Sequence, residues 1–234
     1  MPINSFNGYT LVCFIDISGF KRMMRKRENA FHALESFYQT GYDILRLHSQ
    51  HHLGNEPNVE GIFISDCAVL FVRHQNSSLS AILRPMLEIV ERLNTEMINR
   101  DVLLTTSIAY GYFSYEPRHE FIGIEKNIVF GAPYLEAYLD NSVGQPKLVP
   151  GLCRILVGNL PVRELNNLLK KKDPFFQRLA KHNGSEDHLY FYWMLNEKAQ
   201  IREFHIALER PHKIAQCTHN YNHLRHILKS ARAT

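Results

Sequence analysis

Residues 59–72 read VEGIFISDCAVLFV, two runs of β-branched, aromatic and other apolar residues that meet at Ser65-Asp66. Two such runs joined by a two-residue turn predict a tight antiparallel hairpin. The hairpin decides the fold class, because a doubly wound parallel sheet places a helix between successive strands and this connection has no room for one. Working outward, residues 10–16 (TLVCFID) predict a buried central strand, and a helical pattern follows Ser18-Gly19 to about His48. Beyond the hairpin, residues 79–98 predict a second amphipathic helix, with Pro85 marking a kink or its regular start, and residues 102–113 predict a long strand. The order β-α-β-β-α-β describes an α+β, ferredoxin-like sandwich with an antiparallel sheet covered by two helices.

Further strands and helices are expected after this core. Residues 121–130 read as extended, 131–141 (GAPYLEAYLDN) as a third helix and 154–157 as a short strand. Residues 162–182 read as helix broken at Asp173-Pro174, 189–194 as a strand and the tail from about His219 as a short helix. No repeat or Pro/Gly/Ser-rich linker divides the 234 residues, so one domain over 1–234 is expected, with a core at about 8–195 and a C-terminal extension over 196–234.

Hydrophobic residues make up 45% and charged residues 21% of the chain, which excludes whole-chain disorder and low-complexity polymers. No stretch reaches the roughly 18 uncharged apolar residues of a membrane-spanning helix. The start, MPINSFNGYT, lacks the features of a signal peptide, and Cys13, Cys67, Cys153 and Cys217 lie far apart without a CxxC pair. A reduced, cytoplasmic protein with no direct membrane contact is expected. The formal charge of +4 is concentrated at residues 21–27 and 170–172. A nucleic-acid binder usually shows a broader basic stripe, so no nucleic acid is expected; a nucleoside triphosphate suits the local excess about as well.

Two carboxylates stand out by position. Asp16 ends the first strand and Asp66 occupies the hairpin tip. In a βαββαβ fold these elements are neighbours, so the acids can converge. Two carboxylates ~4 Å apart repel by roughly 4 kcal/mol at an effective dielectric of 20. Divalent cations with oxygen ligands commonly offset such a pair. Ser18-Gly19-Phe20 follows where strand turns to helix, where free backbone N–H groups form an anion site with Lys21 and Arg22 nearby. The same residues also fit a turn aspartate followed by a helix cap.

Phe14–Phe20, FIDISGF, resembles the F-x-D-(I/L)-x-G-F motif of class III nucleotidyl cyclases. Ile64-Ser65-Asp66 resembles their second metal-aspartate hairpin, Ser107–Gly111 (SIAYG) the strand that follows, and residues 131–139 the helix that carries catalytic residues in that family. The match runs in order over about residues 10–158. The resemblance implies that Asp16 and Asp66 hold two divalent ions, Mg²⁺ or Mn²⁺, with the Ile17 carbonyl as a further ligand. It implies that the amides of Ser18, Gly19 and Phe20 cradle the phosphates, and that the protein is a head-to-tail homodimer with its sites at the interface.

The sequence also departs from that family. The position of the base-reading lysine of purine cyclases, four residues before the second aspartate, is Ile62. The second base-reading position is Ile128, with Asn127 beside it, and the transition-state Asn and Arg align with Leu135 and Leu139. With the stand-alone length and the GAPYLEAYLD helix, these losses resemble the pyrimidine cyclases of antiphage (Pycsar) signalling. That subgroup implies a uridylate or cytidylate cyclase, UTP favoured and CTP next, whose product acts on a separate effector. A purine cyclase and a non-catalytic nucleotide-binding module are the alternatives. Tyr42 and Arg46, one helical turn apart, join Ile62 and Asn127 as candidates for the base pocket; an aromatic core residue and a solvated arginine explain the same pair. His219, His223 and His226, with Cys217 ahead of them, have a spacing compatible with zinc, but a histidine-rich surface helix is the commoner meaning.

Overall fold

The computed structural model describes residues 3–25, 27–51, 57–121, 124–181, 186–195 and 201. Their strands form one sheet in the order β2-β3-β1-β4-β6-β8-β7, with β5 pairing β4 to the side of this path. The centre is β1 (Phe6–Ile17), antiparallel to β3 (Cys67–Arg73) on one edge and to β4 (Leu104–Phe121) on the other. β2 (Val59–Ile64) completes the hairpin, with Ile64 opposite Cys67. The run β2-β3-β1-β4, with its two intervening helices, is the ferredoxin-like core that the hairpin required.

β1 is buried on both faces from Thr10 to Ile15, because each face meets its own helices. Strand residues alternate between faces. Leu11, Cys13, Ile15 and Ile17 join the larger core, beneath α2 (Arg27–His51) and α3 (Leu79–Asn99). Val12 and Phe14 join the smaller one, with Ala137 of α4 (Ala132–Val143). Asp16 continues the second set, so it faces the α4 side.

The expected first helix divides into a single turn, α1 (Phe20–Met23), and the long α2. α3 runs through the buried Pro85 from a Ser78 cap, whose side chain accepts from the Ala81 N–H at 3.3 Å. β4 extends well past residue 113, because β5 (Ile124–Gly131) pairs its second half and seats Pro117 opposite Asn127. Gly131 then lets the chain fold back: its φ is 142°, and a Cβ would lie 2.4 Å from the Tyr112 carbonyl oxygen. Pro133 in the first turn fixes the start of α4.

β6 (Cys153–Leu156) runs parallel to β4 and carries β8 (His188–Phe191) and β7 (Leu179–Lys181) outward. α5 (Val162–Lys170) and a 3-10 turn at Phe176–Arg178 lie between them, where a broken helix to 182 was expected. Among the described residues, no helix is long and apolar enough to cross a membrane. The tail from His219 and the Cys217–His226 group fall outside the described residues, as does the extension over 196–234 apart from Ile201.

Candidate active site

The end of β1 and the tip of the hairpin are joined by the backbone itself. Asp16 stands opposite Cys67 in the β1–β3 register, and the Ile17 N–H donates to the Asp66 carbonyl at 2.9 Å. The two-residue turn places Ser65 at φ 54°, a left-handed conformation that glycine would adopt more readily. The hairpin thus holds Asp66 beside Asp16 at the cost of local strain.

Burial raises the Asp16 carboxyl to about 6, and the charge of Asp66 adds to the rise. Between them, the half-buried Cys67 thiol is pushed up to about 11 by burial, then by Asp66 and Asp16, and its Sγ donates to the Ile64 carbonyl at 3.0 Å. No Lys, Arg or His among the described residues forms an ion pair with either acid. Ser18, two residues beyond Asp16, adds a buried Oγ without a hydrogen-bond partner.

The turn after Asp16 differs from expectation at one amide. The Ser18 N–H donates to the Leu103 carbonyl at 2.8 Å, continuing the β1–β4 ladder, so it is not available to a phosphate. Gly19, in the left-handed region at φ 76°, caps α1 and accepts from Arg22 and Met23. The N–H groups of Gly19, Phe20 and Lys21 are those a helix start leaves without an internal acceptor. The cradle therefore reduces to Gly19 and Phe20, joined by Lys21.

Two carboxylates without a cationic partner and an unpartnered hydroxyl suit a hard divalent cation. Among the described residues, no group of three or more His, Cys, Asp or Glu side chains could hold a metal. Such an ion would take its remaining ligands from the Ile17 carbonyl, water and phosphate oxygens, which is how Mg²⁺ is commonly held.

No protein-family model matches the sequence, and no curated protein matches it. Solved structures do. The chain is similar to the catalytic core of a rhodopsin-guanylyl cyclase with converted specificity, in complex with ATPalphaS, with a TM-score of 0.53 and 12% identity over 81% of this chain and 97% of that one. It has the fold of a nucleotide cyclase domain. The guanylate cyclase domain of RhGC from Catenaria anguillulae, in complex with GTP, gives a TM-score of 0.50 and 11% identity over 79% of this chain and 95% of that one. A bacterial light-regulated adenylyl cyclase gives 0.54 and 10% over 86% of this chain, but this chain spans only 57% of it.

On this cyclase fold the other expected site residues scatter. Ile62 is buried in the smaller core with Val12, Phe14 and Val69, on the acid-bearing face. Tyr42 packs on Phe63, with ring centroids 5.0 Å apart, and Phe63 belongs to the opposite core. Arg46 is exposed and pairs with Asp43 at 3.0 Å. The helix that carries both packs against the larger core, on the opposite face of β1 from Val12 and Phe14, whose side Asp16 shares. Asn127 is exposed on β5 and accepts from the Tyr115 hydroxyl at 2.7 Å. Its register partner is Pro117, whereas Asp16 stands opposite Thr105. On an extended strand those β4 positions are up to about 40 Å apart. Leu135 and Leu139 lie exposed on α4, with Tyr138 and Val143 also exposed.

α4 carries what the sequence did not signal. Asp140 is buried beneath it, held through both carboxylate oxygens by the fully buried Arg154 at 2.7 Å, by His188 at 2.9 Å and by the Ser107 hydroxyl at 2.6 Å. Arg154 also donates to the Asp140 and Pro146 carbonyls. Next to it, Asn141 accepts from the Thr105 hydroxyl at 3.0 Å. An Asp-Asn pair near the end of a largely apolar helix is the hint the sequence holds of either contact.

Proposed function

We propose that this chain is a nucleotidyl cyclase that converts a pyrimidine triphosphate, UTP in preference to CTP, to its 3′,5′-cyclic monophosphate and pyrophosphate. The observation that carries the reading is the acid pair, without a cationic partner and set beside a helix-start turn on a cyclase fold. Divalent ions at Asp16 and Asp66 would activate the ribose 3′-hydroxyl and offset the charge of the departing pyrophosphate. The chain's own residues bind and orient. Gly19 and Phe20 offer backbone N–H groups to the phosphates, and Lys21 adds positive charge. In the reaction the 3′-oxygen bonds to the α-phosphorus, its proton passes to water, and the bond from the α-phosphorus to the pyrophosphate oxygen breaks.

The pyrimidine preference is supported by what the base positions hold. Ile62 is apolar and buried, and Ile128 has no hydrogen-bonding side chain, so neither reads a purine edge. The separation of Asn127 from the acids along β4 favours a head-to-tail homodimer, in which one copy's β5 serves the other's acids. The exposed apolar side chains of α4 suit such an interface. A product of this kind would act on a separate effector, with antiphage signalling as its setting.

The test is incubation with each of the four triphosphates and Mn²⁺, with the products resolved. Cyclic UMP, with or without cyclic CMP, is expected. Cyclic AMP or GMP alone would overturn the pyrimidine preference, and no cyclic product from any of them would leave a nucleotide-binding module.

A further inference from the structure

A cyclising site needs hydrogen-bond donors where charge develops on the phosphorus, and the outer face of α4 presents Leu135 and Leu139 instead. A donor stands elsewhere on the same helix. Thr105 is the β4 partner of Asp16, and its hydroxyl donates to Asn141 Oδ1 at 3.0 Å. That bond turns the Asn141 amide so that Nδ2 lies over β1, where its contact with the Phe14 carbonyl is a long 3.5 Å. The Tyr138 ring packs edge-on to Phe14, 5.3 Å between centroids, and brings this part of α4 down onto the acid-bearing face. Two residues beyond Asp16, the Ser18 Oγ is buried without a partner.

The rotation of α4 about its axis is fixed by the neighbouring side chain. Asp140 is clamped by Arg154, His188 and Ser107, all buried, so a rigid element rather than a loop holds Asn141 against Thr105, the cross-strand partner of Asp16, and against the Phe14 carbonyl.

We propose that Asn141 Nδ2 donates to the triphosphate held at Asp16 and Asp66 of its own chain, with Thr105 as the positioning residue that orients the amide. The inference rests on the cyclase reading above. It differs from a helix donor supplied across the dimer, because Asn141 bonds to Thr105, the strand partner of Asp16, within one chain. Thr105 itself need not touch substrate.

Steady-state turnover of UTP with Mn²⁺ tests this on the full chain. Asn141→Ala is expected to lower kcat about 100-fold, the usual loss for one such donor, and to weaken Mn²⁺·UTP binding several-fold. Thr105→Val is expected to lower kcat about tenfold, and Thr105→Ser to restore it. A purely structural staple would instead lower the melting temperature of both variants while leaving kcat of the folded fraction intact, and that result overturns the proposal. Mixed dimers of Asp16→Asn and Asn141→Ala chains separate the two geometries. Same-chain action predicts no recovery of activity, whereas recovery toward a quarter of the wild-type rate contradicts it. If the wild-type chain cyclises no triphosphate, the cyclase reading fails. The Asn141 contact is then judged by Mn²⁺·UTP affinity alone, and equal affinity in wild type and Asn141→Ala overturns it.

Discussion

Two aspartates on the same side of this sheet live in opposite circumstances. Asp140, under α4, is buried and satisfied: Arg154 grips both of its oxygens, and His188 and Ser107 take the remaining positions. Asp16 is partly buried too, yet no Lys, Arg or His among the described residues forms an ion pair with it, and burial together with Asp66 raises it to about 6. The first arrangement builds structure, because a buried charge is tolerable only when paired and hydrogen-bonded. The second holds a charge deficit in reserve, beside a turn strained at Ser65 and a hydroxyl left without a partner. Strain and unsatisfied groups persist where the surrounding fold enforces them, and they concentrate at functional sites.

The same substitution should therefore have opposite signs in the two places. Asp140→Asn leaves the guanidinium of Arg154, 0% exposed, without its counter-charge, and is expected to cost about 3–5 kcal/mol in urea unfolding. A loss below about 1 kcal/mol would mean that the network under α4 is not a structural anchor. Asp16→Asn relieves repulsion and desolvation. A rise of roughly two units would correspond to about 3 kcal/mol, and screening at a partly exposed site reduces this to a gain of about 1 kcal/mol. A destabilised metal-free Asp16→Asn would erase the contrast.

The smallest effect is in the pH dependence of the metal-free protein. The Asp16 carboxyl is raised from 3.8 unfolded to about 6 folded. Between those values the folded chain binds more protons than the unfolded one, so stability falls as pH rises from about 4 to about 6 and then levels. That loss, again about 1 kcal/mol after screening, should be absent from Asp16→Asn in matched melts across this range. An unchanged pH profile in the variant would place the titration on another group.

How much of this was legible in the sequence follows from the range of the interactions. The hairpin, the central strand and the helices covering them are local patterns of period 2 and 3.6, and the order β2-β3-β1-β4 follows from them. The convergence of Asp16 and Asp66 follows from that order as well. The Ser18 amide was misjudged because its acceptor, Leu103, depends on how far the β1–β4 ladder runs, which is a register question. For Tyr42 and Arg46 the sequence shows which side of their helix is apolar, not which face of the sheet that helix covers, and the structure sets it on the larger core. The grip of Arg154 on Asp140 and the Thr105–Asn141 bond join side chains from different elements, and no motif announces such pairs.

The central claim is that the unpaired acids at the end of β1 and the hairpin tip exist to hold divalent cations with a triphosphate. Electron paramagnetic resonance titration of Mn²⁺ into the protein with a non-hydrolysable UTP analogue measures this directly. The account predicts that free Mn²⁺ signal is suppressed by wild-type protein and returns with Asp16→Asn or Asp66→Asn at the same protein and nucleotide concentrations. Equal Mn²⁺ uptake by wild type and both variants would contradict it.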